Sequence, residues 1–450
     1  MKMNNKLIKI LIITLTIVGI SSVYAAVMLN SSDIFFDNSK SGIKSDNVQG
    51  AIDELYELTY GCSSSNVSKP VIKEGLIPVV IEDDGTVKVV NENDSNWYNY
   101  CNKIWANAVI LDTDESYNVG DVIPESAIRA YFVWIPKYKY QLWNIGVSDT
   151  TILAHSINIV FDTENTTDKE GECATPMTSG SSGNCQNGDY MTHPAFISMG
   201  VNGFWVGKYE LTGSIDNLTV KPNQVSLRNQ TVSSFFSAMY NFNRKLDSHM
   251  MKNTEWGAVA YLSHSKYGID GEININNNSS YKTGYSALLT TQQGTYPGTS
   301  GDGISYNKTY NTDIGYLAST TGNISGIYDM SGGAHEYMAS YRSGASIPTG
   351  EAKYFDVYNG NSSEATYNYR ILGDATGEMG PFVDYKDGDG NTRHHNQWYA
   401  DASYFVFSTN PWFTRGGICA HGVLAGQFIF HGTTNAVLEH VSSRLVLAPQ

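Results

Sequence analysis

From Gly268 to about Asp401 the chain runs through Gly, Asn, Ser and Tyr with neither a helical nor a strand period. A polar stretch of that length cannot build a core of its own, so ordered segments on either side must hold it. The pattern predicts few regular elements there. Composition agrees: 42 Gly and 30 Tyr accompany 41% hydrophobic and only 16% charged residues. Those aromatics are too many for a disordered chain, and the charges too few for a long-helix protein. A length of 450 residues suggests two or three domains. The net charge of −15 makes the chain a poor partner for nucleic acid or anionic lipid.

Lys2, Lys6 and Lys9 precede the apolar run ILIITLTIVGI and then SSVYAA. A basic start, a short apolar core and small residues describe a secretory signal, with cleavage after Ala25 or Ala26. Leu7 to Leu29 is also long enough to span a bilayer, so a retained anchor competes with it. Residues 1–29 are therefore expected to be a signal peptide or membrane anchor, the membrane being met through this segment alone. The chain is expected outside the cell or on its surface. Asp46 can cap a short helix whose Val48, Ile52, Leu55 and Leu58 repeat at helical spacing, giving a helical stalk over 30–61. Residues 62–127 hold short strand-like runs (VIKEGLIPVVIE, TVKVV, WANAVIL) and read as a small β-rich extension, either a subdomain or more of the following sheet. In an exported chain Cys173 and Cys185 can staple the loop between them, and Cys62 with Cys101 is a second candidate pair. Cys419 is then the odd thiol; five reduced thiols is the alternative.

The main body is expected over 128–450. AYFVWIPKYKYQLW and GFWVGKYELTGS read as strands, with Glu210 a candidate for packing or hydrogen bonding at the domain's base. VSSFFSAMYNFNRKL reads as a helix with an aromatic face. NTEWGAVAYLSHSKYG reads as a second helix, capped by Asn253 or Thr254 and ended by Gly268. Short strands follow in FVFST, AGQFIFHG and SSRLVLAP. In DYKDGDGNTRHH, Asp387, Asp389 and Asn391 alternate with Gly388 and Gly390, a spacing that suits calcium. The twelfth position is Trp398 rather than glutamate, so such a site needs remote ligands; a solvated acidic turn is the competing reading. Side chains of the adjacent His394 and His395 diverge on an extended chain, which argues against zinc. Glu336, beside His335 in a glycine-tight turn, reads as structural. No GxSxG, GxGxxG or Walker A element supports a hydrolase or nucleotide site.

Six segments in order, FVWIPKY, FWVGKYELT, NTEWGAVAYL, GIYDMSGGAHEYMAS, FTRGG and SSRLVLA, resemble the signature blocks of the formylglycine-generating enzyme (sulfatase-modifying factor) superfamily. The resemblance spans roughly residues 130 to 449. It implies an α+β, C-type-lectin-like fold: a small twisted antiparallel sheet, about two main helices and extensive irregular chain. It also implies a scaffold of Glu210, Trp256, Glu336, Arg415, Gly416, Gly417, Phe428, Phe430 and Arg444. The departures bear on function. Oxidase members bind copper through two cysteines after the R-G-G block, whereas here only Cys419 follows, and one thiolate cannot make that site. His335 stands where the family turn has tryptophan. An oxidoreductase is therefore the least favoured reading, and no enzyme activity is expected.

Within the frame of the C-terminal segment lie residues that obey no pattern: Ile418, Cys419, Ala420 and His421; Val423 and Leu424; His431, Thr433 and Thr434; Val437, Leu438, His440 and Val441. Aliphatics, a thiol and histidines side by side on a glycine-rich rim suggest a binding patch. The segment, about 415–444, resembles the variable region of proteins diversified by retroelements that rewrite adenines. Rewriting an asparagine codon reaches most residue types but never Gln, Glu, Lys, Met or Trp, and every residue in these clusters belongs to the reachable set. Gln427 and Glu439 do not, and are expected to be fixed. The resulting expectation is a ligand-binding protein of the cell surface whose partner is a protein or glycan on another cell, phage or host. It needs no cofactor beyond a candidate structural calcium. A fixed adhesin or carbohydrate-binding module, with calcium, is the alternative.

Overall fold

The computed structural model describes residues 67–142, 154–162, 188–287, 308–358, 382–386, 392–396, 399, 401–404 and 406–450, with Val48 and Ala51 nearer the N-terminus. The chain divides into two units, Met1–Ser63 and Ser64–Gln450. In the first, Val48 and Ala51 are helical. The signal or anchor segment, Cys62, Cys173, Cys185, Asp387, Asp389 and Asn391 lie outside the described residues. Among the described residues no helix is long and apolar enough to cross a membrane.

The second unit begins with strands β1 (Ile77–Ile81), β2 (Val87–Val89), β3 (Asn107–Leu111), β4 (Val122–Ile123), β5 (Ile128–Pro136), β6 (Tyr138–Gln141), β7 (Ile159–Phe161) and β8 (Tyr190–Thr192). Helix α1 (Pro194–Met199), β9 (Gly203–Gly207), β10 (Thr212–Ser214), β11 (Asn217–Thr219), α2 (Val232–Tyr240), β12 (Ser248–Met250) and α3 (Asn253–Ser263) follow. Then come β13 (Tyr285–Ser286), β14 (Lys308–Thr309), β15 (His335–Arg342), β16 (Asp356–Tyr358), β17 (Phe382–Lys386), β18 (Thr392–Asn396) and β19 (Ala402–Tyr404). The last strands are β20 (Trp412–Arg415), β21 (Phe430–Thr433), β22 (Val441–Ser443) and β23 (Leu445–Leu447). The architecture is mixed α+β, with few helices and short, mostly antiparallel strands.

The first sheet runs β12-β23-β9-β5-β3-β1-β2-β4. The 62–127 segment thus supplies β1 to β4 to the same sheet as β5. β5 has neighbours on both sides and all but one of its residues are buried, which explains its near-continuous apolar run. AYFVWIPKYKYQLW is not one strand. It breaks after Pro136, which has no N–H for a ladder, and Lys137 sends its own N–H to Ser68 Oγ (3.0 Å) and Asn202 O (2.9 Å). β6 then enters a separate sheet with β7 and β8.

The second sheet runs β16-β15-β20-β21-β19-β18-β17, with β22 also paired to β15. It is mixed, because β16 and β22 run parallel to β15 and β21 parallel to β19. β15 corrects the expectation of few regular elements between 268 and 401. Its residues are buried on both faces except Arg342, so HEYMASYR offers no alternation to read.

α3 is buried on every side. Its cap is Lys252 rather than Asn253 or Thr254. The Asn253 N–H goes to Ser340 Oγ (2.7 Å), that of Thr254 to Asp356 Oδ2 (2.9 Å), and Glu255 reaches back to the Lys252 N–H (2.9 Å). The helix stops at Ser263, before Gly268, where the Ser265 hydroxyl takes the Leu262 carbonyl (2.7 Å).

Tryptophans tie the irregular chain to these elements. The indole N–H of Trp97 reaches Asn107 O (2.8 Å), that of Trp105 Tyr267 O (2.8 Å), that of Trp134 Ser68 O (3.0 Å) and that of Trp205 Val71 O (2.9 Å). Each places a large apolar body in the core and satisfies its one donor on a carbonyl. The buried Lys208 does the same with charge. Its ammonium donates to Asn107 Oδ1 (2.9 Å), Ile324 O (2.6 Å) and Gly326 O (2.7 Å).

Candidate functional site

Two buried arginines fix the C-terminal segment. Arg415, at the end of β20, donates to Asn253 Oδ1 (2.9 Å) and Gln427 O (3.1 Å), and the Trp256 indole donates to the same Gln427 carbonyl (2.7 Å). Arg444 pairs with both oxygens of Glu336 and donates to Gly207 O (2.8 Å) and Tyr328 O (3.0 Å). The two guanidinium carbons lie 5.7 and 5.9 Å from the Trp256 ring. Burial pushes the Glu336 carboxyl up to about 7, against the pull of Arg444. Glu210 accepts the Ala334 N–H (2.8 Å) and the Ser226 hydroxyl; burial, then neighbouring Asp329 and Glu336, raise its carboxyl well above the usual range. Phe428 and Phe430 are buried with them, as are Gly416 and Gly417. Gly417 has φ +77°, and a Cβ there would lie 2.7 Å from that of Ala425, so the turn after β20 requires glycine. Gln427 is buried as well.

The patternless residues sit elsewhere. Ile418, Cys419, His421 and Leu424 are half-buried and Ala420 is exposed; of Val423 only the backbone is described. Cys419 is a free thiol, and burial raises its pKa so that it stays protonated. Cys101 is disulfide-bonded. His431, Thr433, Leu438 and His440 are half-buried, Thr434 and Glu439 are exposed, and Val437 is 59% exposed. Val441 is the exception: it pairs with His335 in the sheet and is buried, so it belongs with the frame rather than the surface.

The loop from Thr434 to His440 is held mainly through its carbonyls. The Tyr337 hydroxyl donates to Thr434 O (3.1 Å) and Ala436 O (2.8 Å), and the Asn229 N–H to Leu438 O (3.1 Å). Arg228 takes Glu439 O, and the His335 N–H takes His440 O (3.0 Å). Asn435 adds a side-chain tie, its Oδ1 accepting the Val232 N–H at the start of α2 (2.8 Å). A backbone pinned in this way keeps its path whatever side chains Thr434, Val437 and Leu438 carry.

Sequence reasoning missed one feature. Four histidines meet where the segment folds over β15: the His335 ring centroid is 5.1 Å from that of His421, 5.3 Å from His431 and 6.1 Å from His440. Burial depresses the His335 pKa well below the ordinary histidine value, and the other three rings add to the shift. His421 is lowered too, by burial and then by His440. In sequence His335 stood beside Glu336 in a glycine-tight turn and as a departure from the family turn, while His421, His431 and His440 were read as part of the binding patch, so no pattern placed the four rings together. Among the described residues no group of three or more His, Cys, Asp or Glu is placed to hold a metal ion. No family model matches the chain, and no curated protein matches it.

Proposed function

We propose that the protein is an exported ligand-binding protein with a C-type-lectin-like fold of the formylglycine-generating enzyme type, displaying a retroelement-diversified surface on its C-terminal segment. The supporting observation is the division of labour in residues 415–444. The proposed scaffold residues are buried and hydrogen-bonded or packed, while the residues of the 434–440 loop are anchored by carbonyls and leave Thr434 and Val437 exposed. Free variation of side chains requires that arrangement, because a loop held by its side chains loses its path when they change. The ligand is a protein or glycan on another surface. No catalytic step is assigned.

The test is the coding sequence of residues 415–444 read from many individuals of one strain. Substitutions concentrated at 418–421, 423–424, 431, 433–434, 437–438 and 440, with Arg415, Gly416, Phe428, Phe430 and Arg444 constant, are the expected result. An invariant segment overturns the reading and leaves a fixed adhesin.

A further inference from the structure

A cavity of about 10 Å³ lies at the turn before β21, lined by Glu272, Tyr399, Asp401, Gly426 and Gln427 among others. That is roughly the room of one water or one ion. Asp401 and Gln427 are buried, at 1% and 4% exposure. Asp401 Oδ2 accepts the Phe428 N–H (2.9 Å), but its Oδ1 has no hydrogen-bond partner. Gln427 commits its Nε2 to Ser263 Oγ (2.8 Å) and leaves Oε1 without a partner. Gly426 passes so close to the carboxylate that a Cβ would lie 2.1 Å from Asp401 Oδ1. Glu272 stands at the mouth, reaching solvent.

Two carboxylates and an amide oxygen are acceptors when ionised, and buried acceptors left unmatched are costly. One water brings two protons to these acceptors and leaves both negative charges facing each other. A hard divalent cation satisfies the oxygens and the charges together. We propose that the cavity is a calcium site, with Asp401 Oδ1, the Glu272 carboxylate and Gln427 Oε1 as protein ligands and water completing the shell. Its position gives it a consequence. Gln427 also offers its carbonyl to Arg415 and Trp256, so the ion would brace the turn from which the proposed binding segment springs. The site stands independently of whether that segment is diversified.

The test titrates the chelator-stripped full chain with terbium, reading sensitised luminescence, then competes with calcium and follows Tm at millimolar calcium. Binding at one site, a calcium-dependent rise in Tm, and at least a tenfold weaker affinity in Glu272→Gln are expected. Asp401→Asn should abolish binding. Should that buried variant fail to fold, the rim variant Glu272→Gln decides alone. Asp387→Asn with Asp389→Asn separates this site from the Asp387–Asn391 spacing and should leave the titration unchanged. The proposal is overturned if calcium does not bind, if Glu272→Gln binds as wild type, or if binding disappears with Asp387 and Asp389.

Discussion

The Arg444 frame and the 434–440 loop lie side by side and are stabilised in opposite ways. At Arg444 the side chain is the structure: a buried guanidinium joins Glu336, Gly207 and Tyr328, and no other residue type supplies that fork of donors. In the loop the backbone is the structure, and side chains such as Val437 end in solvent. The difference shows how one short segment can hold its path by side chains at one point and by backbone at another.

The largest effect should come from breaking the frame. Arg444→Met leaves Glu336 buried without its partner, and should lower the unfolding free energy by about 3–5 kcal/mol in urea titration. A variant as stable as wild type would remove the frame from this comparison. Trp256→Phe keeps most of the ring but withdraws the donor from Gln427 O, and should cost about 1–3 kcal/mol by the same measurement.

The histidine cluster sits on the border between the two regions, and acid should act there. His335 is held neutral by burial, its folded pKa lying well below the ordinary histidine value of about 6.5. The unfolded chain therefore takes up the proton first. Stability is in full above that value and is lost as pH falls from it toward the depressed folded pKa, by at most about 1.4 kcal/mol per pH unit for each such histidine. As pH is lowered from about 7.5 to about 5, the Tm of wild type should fall relative to that of His335→Phe, which cannot take a proton. Carboxyls raised by burial, Glu336 among them, act in the opposite sense in both proteins and cancel in the comparison. An unchanged pH profile in that variant would assign the effect to other buried histidines such as His193, whose pKa burial lowers to about 3.

The smallest effect should come from the loop. Val437→Ser and Thr434→Ala should each alter stability by less than about 0.5 kcal/mol, since neither side chain supports the path of the loop. A larger loss at Val437 would mean that the loop relies on its side chains after all, and would erase the contrast with Arg444.

The frame was expected from the family resemblance, which sets Trp256, Glu336, Arg415 and Arg444 at given points along the chain. Burying residues so large or charged demands partners, and the fold supplies them. The aromatic face of α2 was legible from its period, and SSRLVLAP does hold the end of β22 and all of β23. FVFST, read as a strand, is corrected: Phe407 and Asn410 close a turn there. AGQFIFHG pairs only from Phe430, because residues 426–428 form a turn. β15 was not legible, because a strand buried on both faces has no alternation. The cap of α3 was not either, because the groups that satisfy Asn253 and Thr254 come from Ser340 and Asp356, far along the chain. Val441 was assigned to the surface because one aliphatic beside His440 looks the same in sequence whether it faces water or a sheet.

By itself, then, the sequence pointed to a loop-rich α+β body, read Glu336 as structural, and left Cys419 either the odd thiol or one of five reduced ones. Only the tertiary structure decided that His335, His421, His431 and His440 meet. It alone decided that Asp401 and Gln427 turn unpartnered oxygens toward a cavity with Glu272 at its mouth, and that the last loop hangs by its carbonyls. The reason is physical. Burial periodicity and residue type are local and leave a mark along the chain, whereas convergence of distant side chains depends on strand order and register, which no local pattern encodes.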